Sequence, residues 1–307
     1  MGLVQFKPES RGPSWKVLHL CRVRIFFVGG RAVQVTETWV QQCSRLATTI
    51  RSHCLRMTHH GKSGHVGSML SMAEILAVLY ERILRVDPAR PKWPERDRLI
   101  LSKGHGGGAL YAVLAEHGFF PGEWLMTYYC DDGKLMGHIS HHVPGVEFST
   151  GSLGHGLPVA VGMAIAARYR SQKHKIYCIV SDGDINEGST WEAIFFAAQH
   201  HLDNLMVILD YNRVQALGFA KDVLDLEPLT EKLTSSHWAV REVNGHEVLE
   251  LEKALSGAPF EPGKPSWVTA HTIKGKGVSF MENTVACHYG SVNDEQLAQA
   301  LNELGVH

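Results

Sequence analysis

The segment KIYCIVSDGDINEG, residues 175–188, joins a short apolar run to an acidic turn. Its first six residues have the β-branched and aromatic content of a buried strand. Residues from 188 onward are typical of a helix, so SDGDINEG connects a strand to a helix. Two Asp, one Asn and one Glu stand in this connection beside two Gly. Such oxygen-rich turns indicate either a ligand site or side chains that cap helices and fill loops.

The alternation of strand and helix continues on both sides of this segment. Strands are predicted at 98–102, 175–180, 205–210, 238–243 and 266–271. Helices are predicted at 37–60, from 71 (with a capping box formed by Ser71 and Glu74), and at 108–118, 121–130, 153–170, 188–201, 230–237 and 246–256. The strands are continuous apolar runs, which predicts an α/β fold with a parallel sheet and helices on both faces, in three layers.

The overall composition excludes several classes of protein. The chain has 307 residues, a formal net charge of −1, 20% charged residues and 44% hydrophobic residues. These ordinary values give no basic excess for nucleic-acid binding. No apolar run reaches the roughly 18–20 residues that span a bilayer, so no membrane association is expected. The six cysteines form no CxxC pair, and we therefore expect reduced thiols in a cytoplasmic protein.

Residues 1–36 differ from the rest of the chain. They contain few acidic residues, several arginines and little periodicity. They fit either a transit peptide or a leader that is not part of the folded core, and the second interpretation is preferred. The predicted organisation is therefore a leader, 1–36, followed by one α/β domain, 37–307.

The acidic turn becomes more informative when the next predicted strand is considered. Asp182 follows one strand and Asn212 follows the next, one βαβ unit later, so neighbouring strand ends bring the two side chains together. With the Val214 carbonyl they offer oxygen ligands to Mg²⁺, which completes its coordination with phosphate and water. The amides of Gly183 and Asp184 can face that phosphate. The spacing alone leaves open the alternative of loop filling and helix capping.

Six further motifs accompany the Asp-Gly…Asn spacing. They are SGHVGS (63–68), SKGHGGGALYA (102–112), GHIS (137–140), STGSLGHGLPVAVGMAIA (149–166), EGSTWEA (187–193) and HTIKGKGVSFMENTVACH (271–288). In content and order they resemble the amino-terminal, diphosphate-binding half of transketolase, over roughly residues 40–300. The chain is most similar to the split transketolases, in which this half is a separate polypeptide.

The resemblance implies roles for individual residues. The implied Mg²⁺ ligands are Asp182, Asn212 and the carbonyl of Val214. The residues implied to contact thiamine diphosphate are Ser68, His105, Gly151, Ser152, Leu153, Gly183, Asn212, Lys274 and His288. The residues implied to surround the reactive carbon are His65, His105 and His138. Histidine suits the binding of sugar hydroxyls and the transfer of protons, because its pKa lies near neutrality.

Some positions depart from the family pattern. Ser181 replaces the first Gly of the acidic turn. Val66 and Ile139 replace two Pro residues, while Cys287 replaces a Trp and Tyr289 replaces a Gly. We expect these changes to affect substrate choice more than cofactor binding.

The activity implied by the resemblance is transfer of a two-carbon ketol unit. The unit passes from a ketose (phosphate) donor to an aldose (phosphate) acceptor, with thiamine diphosphate and Mg²⁺ as cofactors. In this family a second, pyrimidine-binding domain supplies a Glu to the cofactor. The chain ends soon after the diphosphate domain. The expected partner is therefore a C-terminal, pyrimidine-binding transketolase subunit, in a dimer of heterodimers (a heterotetramer).

Two other functions remain open at this point. One is another thiamine-diphosphate enzyme, such as the α subunit of a 2-oxo acid dehydrogenase. The other is a non-catalytic, transketolase-like binding module. The series of His-containing motifs favours sugar substrates over 2-oxo acids, and the retained His65, His105 and His138 argue against loss of catalysis.

Overall fold

The computed structural model describes residues 23–28 and 31–306, with side chains from Glu37 onward. The chain divides into two compact units, residues 1–38 and 39–307. The first contains an antiparallel hairpin of β1 (Val23–Val28) and β2 (Arg31–Thr36). The weak pattern of the predicted leader did not indicate these strands. The rest of that leader lies outside the described residues.

The second unit is built on a five-stranded sheet in which every strand pair is parallel. Its strands are β3 (Arg98–Leu101), β4 (Ile176–Ser181), β5 (Leu205–Tyr211), β6 (Ala239–Asn244) and β7 (Ser266–His271). The strand order is β3-β4-β5-β7-β6. Each strand begins and ends within one residue of its predicted bounds, because long apolar runs leave little choice of register.

Helices cover the sheet. They are α1 (Trp39–His60), α2 (Val66–Ser71), α3 (Ala73–Val78), α4 (Gly107–Glu116), α5 (Gly156–Tyr169), α6 (Gly188–Gln199), α7 (Ala220–Val223), α8 (Leu229–Ser235), α9 (Val248–Ser256) and α10 (Asp294–Glu303). Among the described residues, no helix combines the length and the apolar character that crossing a bilayer requires.

Strand β4 shows why the fold has three layers. Tyr177 and Ile179 belong to an apolar cluster shared with α1, α3 and α4. Ile176, Cys178 and Val180 belong to a second cluster, shared with α5, α6 and α8. Because alternate residues of a strand point to opposite faces, a strand that is apolar throughout must be covered on both sides. The predicted three-layer fold is confirmed.

Three local predictions require correction. Ser71 does not cap a helix: it is the last residue of α2, and its hydroxyl donates to Ser68 O and to Asp210. The segment predicted as a helix at 121–130 forms only a 3₁₀ turn, Gly122–Thr127. The helix predicted from 153 begins at Gly156, which leaves residues 151–155 as a loop. The helices α2, α7 and α10 were not predicted.

Candidate cofactor and active site

The two predicted metal-ligating side chains follow neighbouring strands. β4 and β5 are adjacent and parallel, and Ser181 of β4 lies opposite Asp210 of β5. Asp182 comes directly after this register pair on one strand, and Asn212 follows Tyr211 at the end of the other. Both side chains therefore lie at the carboxyl edge of the sheet, as their spacing predicts, and parallel α/β proteins bind ligands at this edge.

Asp182 has an unsatisfied oxygen. Its side chain is 3% exposed, and its Oδ2 accepts a hydrogen bond from the Arg213 backbone N at 3.1 Å. Its Oδ1 is buried and has no hydrogen-bond partner among the described residues. Burial, together with the negative charge of Asp210, raises the pKa of Asp182 to about 7. A buried carboxylate oxygen without a partner is costly, and a bound cation is one way to satisfy it.

Two further oxygens accompany Asp182. The Asn212 Oδ1 accepts a hydrogen bond from the Val214 N at 3.1 Å, and the Val214 carbonyl accepts one from the Lys274 Nζ at 2.8 Å. Each carbonyl oxygen retains a second lone pair. One carboxylate with two neutral oxygens suits a hard cation that keeps other ligands. Within residues 37–306, no group of three or more His, Cys, Asp or Glu side chains could hold a metal.

Asp184, the second acid of the turn, lies in a different environment. The Asp184 side chain is fully buried and accepts hydrogen bonds from the Ser102 Oγ at 2.6 Å and the Gly154 N at 2.9 Å. It also accepts from the Ser181 N and Oγ, both at 2.9 Å. Asp184 therefore fixes the 151–155 loop to the ends of β3 and β4. Its own amide makes a long contact of 3.4 Å with the Ser181 Oγ, and its orientation toward phosphate stays a prediction.

A buried ion pair lies behind the site and was missed by the sequence reasoning. Lys103 and Asp210 are both 0% exposed and form a salt bridge. Lys103 Nζ also donates to Ser68 O at 3.1 Å, and Asp210 accepts from the hydroxyls of Ser71 and Thr272. Charged residues at the ends of apolar strands were the available signal. We refer to Ser71, Ser102, Lys103, Asp184 and Asp210 as the buried polar layer.

The predicted catalytic histidines come together although they are far apart in sequence. The ring centroid of His65 lies 5.3 Å from that of His105 and 5.9 Å from that of His138. Burial lowers the pKa of His65 to about 4 and that of His105 well below its usual value, with the charge of Lys103 adding to the shift at His105. His65 and His105 are therefore neutral at pH 7, so each can accept a proton or a hydrogen bond.

His288 joins this cluster through Lys274. The Lys274 Nζ donates to the His288 Nδ1 at 2.6 Å. Burial, followed by the charge of Lys274, lowers the pKa of His288 to about 3. Burial also lowers the pKa of Lys274 to about 8. This arrangement leaves the Nε2 of the His288 ring as its proton-bearing atom, which can donate to an anionic oxygen.

The predicted residues converge on one pocket of about 300 Å³. Those lining it are His65, Ser68, His105, His138, Gly151, Leu153, Asp182, Gly183, Asn212, Val214 and His288. Ser152 is exposed and Lys274 is buried, and neither lines the pocket. A Cβ added to Gly183 would lie 2.7 Å from the Leu153 Cδ1, so any side chain there would displace Leu153. The neutral imidazoles, the unsatisfied carboxylate and the glycine-lined wall fit an anionic cofactor held through a cation.

Comparisons with known proteins agree with this geometry. Residues 42–307 match the family described as "Transketolase, thiamine diphosphate binding domain". One subunit of the apulose-4-phosphate transketolase of Actinobacillus succinogenes is 47% identical over 243 residues, covering 78% of this chain and 87% of that protein. A 6-deoxy-6-sulfo-D-fructose transketolase subunit of Clostridium sp. strain MSTE9 is 44% identical over 242 residues, covering 78% of this chain and 88% of that protein.

A solved structure extends the agreement to three dimensions. The transketolase of Campylobacter jejuni superimposes with a TM-score of 0.83 at 33% identity, over 87% of this chain and 43% of that protein. The chain thus spans about two fifths of a transketolase of that length but nearly the whole of the Actinobacillus subunit. The resemblance inferred from the motifs is confirmed: the chain belongs to the transketolase family and carries its thiamine diphosphate binding domain.

Proposed function

We propose that the chain is the diphosphate-binding subunit of a split transketolase, which transfers a two-carbon ketol unit from a ketose to an aldose. The observation that carries the proposal is the unsatisfied, buried Oδ1 of Asp182, which lies beside Asn212 and Val214 in a pocket ringed by His65 and His105. A metal–diphosphate group satisfies this oxygen and leaves the histidines free for sugar chemistry.

The proposed metal is Mg²⁺, held by the Asp182 carboxylate, the Asn212 amide oxygen and the Val214 carbonyl. A hard cation that binds few protein oxygens and several phosphate oxygens matches this set. The His288 ring, oriented by Lys274, donates to the diphosphate, and Gly183 lets the diphosphate approach the backbone.

The bound thiamine diphosphate supplies the electron sink for cleavage of the carbon–carbon bond. The protein side chains hold the sugar and move its protons. His65 and His105 are neutral, so they accept hydrogen bonds from sugar hydroxyls and take up the proton released when a hydroxyl becomes a carbonyl. His138 lies within the same ring cluster and completes it.

A partner chain is part of the proposal. Relatives that match this chain over most of their length are named as subunits, which supports a second, pyrimidine-binding subunit that supplies the activating Glu. We propose a dimer of heterodimers, by analogy with the paired domains of the family. A cytoplasmic location is supported by the free cysteines among the described residues.

The substrate class follows from the same relatives. One is named for apulose 4-phosphate and the other for 6-deoxy-6-sulfo-D-fructose. Both names describe a ketose with an anionic group, and we propose a substrate of this class, with a sugar phosphate as the first candidate.

The test begins with the complex purified from its own cells. Native mass spectrometry is expected to show a second chain, together with thiamine diphosphate and Mg²⁺, and the complex is expected to transfer ketol units between sugar phosphates. Turnover of pyruvate or a branched 2-oxo acid in place of sugars, or cofactor binding without turnover beside any partner, would contradict the proposal.

A matched pair of variants tests the metal ligand. Asp182→Asn is expected to weaken Mg²⁺-dependent binding of thiamine diphosphate on the order of 100-fold, because a neutral amide replaces the only charged ligand in the set. Asp131→Asn changes an exposed acid that does not line the pocket, and it is expected to leave the affinity unchanged. Isothermal titration calorimetry measures both, and equal affinities for the two variants would contradict the assignment of Asp182.

A further inference from the structure

Of the five departures from the family pattern, Ser181 lines the pocket but replaces one small residue with another. The structure separates the other four. Val66 is 0% exposed, Ile139 is 3% exposed and Cys287 is 6% exposed. Tyr289, in contrast, is 68% exposed and lines the pocket beside the histidines. Only one of the four can therefore touch a substrate from its present position.

The three buried departures have packing roles. Val66 and Ile139 belong to the same apolar cluster as α1, α3 and α4. The Cys287 thiol also packs in that cluster, and it donates to the Thr284 carbonyl at 2.9 Å. None of these three side chains lines the pocket. Their effect on a substrate can only be indirect.

The Tyr289 ring lies directly against the catalytic cluster. Its centroid is 5.4 Å from that of His65 and 4.8 Å from that of His288, and both contacts are edge-to-face. This geometry is a favourable one for aromatic pairs. The ring therefore borders the opening of the pocket, next to His65, a residue predicted to hold the sugar.

The backbone that carries the Tyr289 ring is held in place. The His65 N donates to the His288 carbonyl at 2.6 Å, which joins the two loops that carry the cluster. A Cβ added to Gly64 would lie within 3.0 Å of Tyr289 backbone atoms, so the two backbones are in close contact. These contacts limit how far the Tyr289 backbone can move away from the pocket, so its ring can act as a size filter.

We propose that Tyr289 sets substrate size, favouring short or branched ketose phosphates over long straight-chain ones. This inference rests on the proposed transketolase function. The transferred two-carbon unit is common to all donors and reacts among His65, His105 and His138, while the variable remainder of the sugar extends toward the opening. At the opening the Tyr289 ring occupies space that the usual Gly leaves empty, and it collides with a longer chain on that side.

The test compares sugars of different length on the assembled complex. The wild-type protein, Tyr289→Ala, Tyr289→Phe and Tyr169→Ala are each assayed with apulose 4-phosphate, xylulose 5-phosphate and sedoheptulose 7-phosphate. Tyr169 is the matched control, because it is a tyrosine 82% exposed that does not line the pocket. Tyr289 has a φ of −114°, so alanine introduces no backbone strain.

Tyr289→Ala is expected to raise the kcat/KM ratio of the seven-carbon to the five-carbon sugars roughly tenfold, the effect of removing a steric contact. Tyr289→Phe retains the ring and is expected to keep the wild-type ratio, as is Tyr169→Ala. Binding of thiamine diphosphate to Tyr289→Ala is expected to be unchanged.

Three results would overturn the inference. One is an equal change in kcat/KM for every sugar, and another is weaker cofactor binding, which would make Tyr289 a cofactor contact. The third is loss of the complex by native mass spectrometry, which would make Tyr289 a contact between subunits. Absence of ketol transfer by the wild-type complex with every sugar overturns the proposed function itself, and this inference with it.

Discussion

The wall of the pocket and the buried polar layer beneath it differ in how their polar groups are satisfied. Asp182, in the wall, keeps one buried oxygen without a partner among the described residues. Asp184, two residues along the same turn, accepts four hydrogen bonds. A folded protein tolerates an unsatisfied buried group mainly where a ligand completes it, whereas a structural group is satisfied within the fold. Neighbouring acids in one turn therefore have opposite roles.

This contrast makes a prediction about stability that is separate from binding. Substitutions in the buried polar layer are expected to lower the stability of the cofactor-free protein. Substitution of Asp182 in the pocket wall is not expected to lower it.

The largest loss is expected for Lys103→Met. It leaves the Asp210 carboxylate buried without its cation, and breaking a buried ion pair in this way costs about 4 kcal/mol. Urea denaturation of the cofactor-free protein measures the change. The double variant Lys103→Met/Asp210→Leu removes both charges and is expected to recover much of the loss. A Lys103→Met variant as stable as the wild type would contradict the stabilising role assigned to the buried polar layer.

A smaller loss is expected for Asp184→Ala. The backbone N–H groups of Gly154 and Ser181 lose their acceptor inside the protein, at a combined cost of about 3 kcal/mol. Asp184→Asn keeps one acceptor oxygen and is expected to lose less. Thermal unfolding followed by circular dichroism ranks the two variants, and equal stability of Asp184→Ala and the wild type would contradict the role of Asp184 in fixing the loop.

A charged cluster away from the pocket extends the comparison to pH. The Glu74 carboxylate is held by Arg51 at 2.6 and 2.7 Å and by the His246 Nδ1 at 3.0 Å. Burial alone would raise the pKa of Glu74, but His246 and Arg51 together lower it to about 2. The folded-state pKa lies below the unfolded value of 4.5, so the stabilisation is complete above pH 4.5 and is lost as the pH falls toward 2.

The corresponding variant is Glu74→Gln. Wild type and variant are expected to differ by at most about 3 kcal/mol in unfolding free energy near neutral pH, and the difference is expected to shrink between pH 4.5 and pH 2. Denaturant titrations at several pH values measure this. A difference that stays constant across the acidic range would show that ionisation of Glu74 does not contribute to stability.

The smallest change in stability is expected for Asp182→Asn. The carboxylate that it removes is buried, and only one of its two oxygens accepts a hydrogen bond. The unfolding free energy of the cofactor-free protein should therefore stay the same or rise slightly. The same variant is the one expected to lose cofactor affinity. A large loss of stability would place Asp182 with the buried polar layer and break the contrast between the two regions.

Local structure could be predicted best where an apolar pattern extends over many residues. All five strands of the parallel sheet were placed to within one residue, because apolar runs fix both the strand and its burial. The errors fell on short signals. Ser71 and Glu74 have the spacing of a capping box, but Ser71 binds Asp210 and Glu74 binds Arg51, so tertiary partners replaced the local one. The hairpin β1–β2 arose from a segment without clear periodicity.

The sequence by itself determined the sheet, the order of the motifs and the family, because those depend on periodicity and on residue types at fixed spacing. It also placed Asp182 and Asn212 together, since one βαβ unit separates adjacent strand ends. Only the tertiary structure decided that Asp182 is unsatisfied while Asp184 is saturated, and that Lys103 neutralises Asp210. It also decided that the Tyr289 side chain lines the pocket while those of Val66, Ile139 and Cys287 are buried elsewhere. The physical reason is that burial and hydrogen-bond partners come from segments distant in sequence, and no local pattern records them.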